Sequence, residues 1–111
     1  MGKRCVNNII IEGVVAEGPQ MARGGSPRLR FTLEYVAVDG AGREGPMRVG
    51  VWARGKLAEK AEPFLFKGDR ILVRGRLISP DAADEGASSE RLSVLASALR
   101  LVGTPTAPSL A

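Results

Sequence analysis

Four stretches of the chain alternate apolar and polar residues with the period of two that marks a half-buried β-strand. In the first, residues 6–16, Ile9, Ile11, Gly13 and Val15 share one face and Asn8, Ile10, Glu12 and Val14 the other. The first set is the more apolar and is predicted to point into a core. The second, Arg28–Val38, sets Leu29, Phe31, Leu33, Tyr35 and Ala37 against Arg28, Arg30, Thr32, Glu34 and Val36. The third, 47–54, alternates Met47, Val49, Val51 and Ala53 with Arg48, Gly50, Trp52 and Arg54, so that two arginines flank a tryptophan on its outward face. The fourth, 69–78, turns Ile71, Val73, Gly75 and Leu77 inward and Arg70, Leu72, Arg74 and Arg76 outward.

Between the third and fourth stretches the period changes. In GKLAEKAEPFLFKG, Leu57, Ala58, Ala61 and Leu65 have helical spacing, which predicts a helix of about two turns before Pro63. Phe64 and Phe66 are expected to cover the bottom of the core, and Phe31 and Tyr35 to lie inside it. The last run, 90–102, supports two readings: Leu92, Leu95, Leu99 and Val102 fit a helical stripe, and Leu95, Leu99 and Leu101 share a strand parity. Glycine and proline cluster at 18–27, 39–46, 79–89 and 103–111. Short strands divided by such turn signals predict a small all-β barrel or sandwich. Residues 1–103 form the predicted domain and 104–111 a short disordered tail.

At 111 residues the chain suits one domain with one core, and no apolar run approaches the roughly 20 residues that span a bilayer. There is no histidine, and Cys5 is the only cysteine. These counts exclude a histidine general base, a Cys/His metal cluster and an intramolecular disulfide. Gly55-Lys56 lacks the upstream glycine and following Ser/Thr of a phosphate-binding loop, and Gly24-Gly25-Ser26 has no partner base. The expectation is a non-enzyme without cofactor or metal. The start MGKRCVNN has no apolar stretch of signal-peptide length, which predicts a cytoplasmic protein with a reduced thiol.

Sixteen basic residues against twelve acidic ones give a net charge of +4, and twelve of the sixteen are arginine. Arginine's planar fork matches phosphate oxygens and its face stacks on bases, although a GC-rich genome also favours its codons. Four acids, Asp81, Asp84, Glu85 and Glu90, crowd into 79–90, so residues 1–78 carry +6. A basic body with an acidic hairpin implies a polyanion partner that passes away from the hairpin tip.

The ordered set VNNIIIEGVV, RLRFTL, GKLAE, FLFKGDRILVRGRL and a final apolar run ending in RLVG resembles the bacterial single-stranded DNA-binding protein family over residues 5–103. The resemblance implies an OB-fold, a five-stranded Greek-key barrel with its helix between the third and fourth strands, where 56–66 falls. It also favours the strand reading for 91–102. FTLEY at 31–35 is similar to the primosomal replication protein N branch of the same family, which makes a replication-restart factor the neighbouring alternative. Two features depart from the family pattern. The chain ends in GTPTAPSLA instead of an acidic tip that recruits partners, and the positions of two stacking aromatics hold Arg48 and Arg54.

What the resemblance implies is binding of single-stranded DNA without strong sequence preference, in DNA replication, recombination or repair, by a nucleoid-associated protein. Such binding needs cations that follow phosphates and flat groups that accept any base. Trp52 is the candidate stacking group, with Arg48 and Arg54 on phosphates or stacking by their guanidinium planes. Arg28, Arg30, Arg70, Arg74 and Arg76 extend the track, and Lys56 and Lys67 match basic positions of the family. The other reading keeps Trp52 in a subunit interface or under a loop and the arginines as a solvated face. A protein-interaction OB module without nucleic-acid binding is the alternative from another class. The family's habit of assembly predicts a homo-dimer or tetramer, with Ile10 and Val14 as interface residues on the second face of the first strand, and replication or primosome proteins as further partners.

Overall fold

The computed structural model describes residues 6–79 and 92–103. The alternating runs become five strands, β1 (Ile9–Ala22), β2 (Arg28–Val38), β3 (Glu44–Arg54), β4 (Arg70–Ile78) and β5 (Ser93–Gly103), with one helix, α1 (Gly55–Ala61), between β3 and β4. The strands close into a barrel in the order β1-β2-β3-β5-β4, with β4 returning to pair with β1. All pairings are antiparallel except β3 with β5, and that crossover gives the Greek-key topology of the OB-fold.

The inward parity predicted for the first four strands fills the barrel with Val15, Leu29, Leu33, Val51, Ile71 and Val73, except that Met47, near the hairpin end of β3, is 51% exposed; Val94 of β5 is fully buried beside them. Phe31 is buried and Tyr35 packs against the core. A barrel this small leaves no room where strands coil most tightly. A Cβ at Gly13 would overlap the Glu34 carbonyl oxygen, and one at Gly75 the Leu95 carbonyl oxygen, so both strands pass backbone against backbone at these points. The FLFKGD sequence closes the end of the barrel. Buried Asp69 accepts a hydrogen bond from the Phe66 amide (2.9 Å), while Gly68 and Val15 bind through the backbone.

The structure departs from the periodicity reading in four further places. β1 does not stop at residue 16 but stays paired with β2 to Ala22. Register shifts between Val15 and Glu17 and between Glu17 and Gln20 absorb the extra residues that made 18–22 look like a loop. β3 begins at Glu44, which shrinks the predicted loop 39–46 to a tight turn in which Asp39 Oδ1 accepts from the amides of Ala41 and Arg43 (2.8 and 2.9 Å). The last run is a strand, but its parity breaks. Val94 and Ala96 are inward, a register shift follows opposite Arg74/Gly75, and Leu99 then turns toward the core, so Leu95 and Leu99 do not share a face. Pairing with β4 at nine positions outweighs the helical preference of its leucines and alanines. Finally, Phe64 and Phe66 do not cover the core: they are 67% and 61% exposed, and Leu65 between them is the plug. α1 ends before Pro63, and the extended turn that follows can aim only one residue of the three inward.

The acidic segment 81–90, the tail 104–111 and Cys5 lie outside the described residues. No helix among the described residues is long and apolar enough to cross a membrane.

Candidate nucleic-acid interface

The register of the barrel lines up the outward residues of four strands. Arg30 on β2 faces Trp52 on β3, Trp52 faces Leu95 on β5, and Leu95 faces Arg76 on β4. Three inter-strand steps make this row about 14 Å wide. The Arg30 guanidinium carbon lies 5.5 Å from the centroid of the Trp52 ring, a cation–π arrangement that holds the half-exposed indole against the sheet. Leu95 supplies a low apolar floor on the other side of Trp52, and Arg76 ends the row with an exposed cation.

One step along the strands, Arg28 faces Arg54 directly. Both are exposed, and an open depression lined by Gly24, Ser26 and Gly55 adjoins them. Like charges opposed across two strands destabilise a sheet. Among the described residues Arg28, Arg54, Arg74 and Arg76 make no ion pair, so nothing within the described fold offsets that repulsion. An anion bound between Arg28 and Arg54 would.

Arg48 behaves differently. Its Nε lies 3.2 Å from Glu34 Oε1 and its Nη1 3.4 Å from Glu17 Oε2, so its charge is already balanced. Arg70 is held near Glu12 at 3.5 Å, on the β1–β4 side of the barrel. Arg74 is exposed beside Ile10 in the same β1–β4 ladder. Lys56 stands exposed in the first turn of α1, next to Arg54, whereas Lys67 is exposed in the turn before β4. Arg23, in the 23–27 loop, is bound by both carboxylate oxygens of Glu62 at 2.6 and 2.7 Å. The structure therefore brings together Arg28, Arg30, Trp52, Arg54, Lys56 and Arg76, and sets Arg48 apart in an ion-pair network; Arg74 and Arg70 follow Arg76 on the same outward parity of β4, away from Trp52 and toward β1, and Lys67 lies in the turn before β4.

Two kinds of residue escaped the sequence reading. Leu95 lay in the run whose parity was ambiguous, and only the β3–β5 register puts it beside Trp52. Glu17 lies just past the predicted end of the first strand, and only its place in the extended β1 brings it to Arg48. Ile10 is 58% exposed on the outer face of β1, and Val14 is half-buried four positions on. Among the described residues no three His, Cys, Asp or Glu gather in a way that holds a metal.

The profile of the single-strand binding protein family matches residues 6–102, nearly the whole described barrel. The chain belongs to that family. Members of this family are non-enzymatic proteins that bind single-stranded DNA. Among solved structures, the wild-type single-stranded DNA-binding protein of Thermus aquaticus is 27% identical with a TM-score of 0.70 over 90% of this chain, which corresponds to 52% of the Thermus chain. The small single-stranded DNA-binding protein of Streptomyces coelicolor is 26% identical, with a TM-score of 0.67 over 88% of this chain and 95% of its own. A Plasmodium falciparum relative solved with single-stranded DNA shares the fold at a TM-score of 0.73 and 17% identity, over 92% of this chain and 99% of that one. No curated protein sequence matches the chain.

Proposed function

We propose that this single-strand binding protein holds its DNA across β2, β3, β5 and β4, along the row Arg30–Trp52–Leu95–Arg76. A base stacks on Trp52, and Arg28, Arg54 and Arg76 take phosphates on either side. The row's width suits two to three nucleotides of extended backbone at roughly 6–7 Å each. The observation that carries the reading is the Arg28–Arg54 pair, without an acidic partner among the described residues, beside a tryptophan that Arg30 stacks on. Lys56 extends the basic edge past Arg54. Arg48 joins the contact only by leaving Glu34 and Glu17, and Arg70, Arg74 and Lys67 serve longer DNA that continues around the barrel.

The protein works as a non-catalytic coat or assembly factor in replication, recombination or repair of DNA in the cytoplasm, with a replication-restart role as the specialised form. It associates with copies of itself through the outer face of β1, where Ile10 and Val14 alternate with Glu12, and this multiplies weak single-barrel sites by effective concentration. Titration of Trp52 fluorescence with oligothymidine at two salt concentrations, with mass measured on the same sample, tests these readings. Quenching with a steep salt dependence and a mass above one chain supports them. Unquenched fluorescence with tight binding would move the DNA off this face, and a monomeric mass would remove the β1 interface.

A further inference from the structure

The end of the barrel opposite the β2–β3 hairpin carries a second feature that DNA binding does not use. β5 is paired with β3 only at Ser93–Leu95, because β3 turns away into α1 at Arg54/Gly55. From residue 97 to 103, β5 is held by β4 on one edge, and among the described residues no strand pairs with the other. That free edge is about 23 Å long. It borders a cleft of about 320 Å³ whose far wall is α1 and the turn after it, with Leu57 and Phe64 facing Leu99, Arg100 and Leu101. Successive strand residues point in opposite directions, so three in a row line one cleft only where the strand presents its backbone edge to it.

We infer that this cleft is a protein-interaction site that takes an extended peptide by strand addition to β5, with apolar side chains in the cleft and acidic ones at its rim. A strand edge beside an apolar groove supplies both parts of such recognition, main-chain hydrogen bonds and pockets for alternate side chains. The charge of the occupant follows from the lining. Its ionisable side chains are Lys60 and Arg100, both basic. Of the nearby acids, Glu62 is engaged by Arg23, and Glu59 on α1 does not line the cleft. Phe64, left 67% exposed here, is the residue an apolar partner side chain would cover. A second copy of this chain suits the edge poorly, since 93–103 carries Arg100 and no acid, and pairing two such edges gathers like charge. Nucleic acid suits it poorly because the floor is largely aliphatic and a strand edge matches a peptide backbone.

The test uses the full chain, isotopically labelled, titrated with a capped heptapeptide that alternates glutamate with leucine and phenylalanine, and with its counterpart carrying lysine for glutamate. The expected result is amide shifts confined to Lys60, Phe64 and residues 97–103, slowed hydrogen exchange at alternate residues of 97–103, and weaker binding of the lysine peptide by at least about tenfold. Arg100→Glu should cut the acidic peptide's affinity by about tenfold while melting temperature and oligothymidine affinity stay unchanged. The inference is overturned by any of four outcomes: no shift at this edge at millimolar peptide, shifts on the Trp52 face instead, equal binding of both peptides, or perturbation of 97–103 by oligothymidine or by protein concentration alone.

Discussion

β2 and β3 run side by side through eleven paired positions, and the two ends of that ladder treat charge in opposite ways. At the hairpin end every arginine has an acid: Arg43 binds Asp39 at 3.1 Å, and Arg48 sits between Glu34 and Glu17. At the end nearest α1, Arg28 opposes Arg54 with no acid in contact among the described residues, and Arg30 lies over the tryptophan ring. The strands, lengths and residue types are alike, so the difference lies in placement. Exposed ion pairs contribute little stability, about 0–1 kcal/mol each, and their absence costs the fold little while leaving a focused positive field. On the proposed reading, a polyanion meets one end as a site and the other as a neutral surface.

The sharpest break of that comparison is Arg28→Glu with Arg54→Glu. Two lost phosphate contacts should lower the salt slope of binding by about 1.4 and weaken oligothymidine binding roughly fifty- to hundredfold at low salt, measured by filter binding or fluorescence. An unchanged slope would mean the pair is a solvated face. Trp52→Ala follows, with a loss of about 2 kcal/mol, near thirtyfold, if one base stacks there. Retention of wild-type affinity would return the indole to a packing role.

Arg48→Ala should do far less, below about threefold, because the charge removed is already balanced. The reverse experiment, Glu17→Gln with Glu34→Gln, should free Arg48 and tighten binding by about threefold, with a slope raised by up to about 0.7. A large loss in the first, or no gain in the second, would show that the two ends are equivalent.

The smallest effect is confined to the hairpin end. Backbone amides of Arg43 and Ala41 hold the Asp39 carboxyl below its ordinary value of 3.8. A carboxylate depressed by folding lends stability that is present above its unfolded value and lost as pH falls through the folded one. Protection of the Ala41 and Arg43 amides, taken relative to their intrinsic exchange at each pH, should therefore fall only below about pH 3.8, and Asp39→Asn should remove that acid-side change without altering DNA affinity.

Much of this fold was legible because strand alternation is local. The bounds Arg28–Val38 are visible in the alternation to the residue, and the inward sets of β1, β2 and β4 are all buried or half-buried, since a side chain's face is fixed by parity along its own strand. β5 was not legible from the residues alone. Its bulge reverses parity part-way, and Leu99 and Leu101 read as either helix or strand until β4 supplies a partner. The same bulge logic hid the second half of β1, and with it Glu17.

For the site, the sequence determined the chemistry: an arginine-rich outward face around a single tryptophan, no histidine and one cysteine in the whole chain, in the order of a known single-strand binding family. Tertiary structure alone decided which arginines are free. Charge balance depends on neighbours across strands, and Glu17 and Arg48, 31 residues apart, meet only because β1 extends alongside β2. It also decided that β5 keeps an open edge. That edge arises where β3 turns into α1, a property of how strands are ordered in space that no period along the chain encodes.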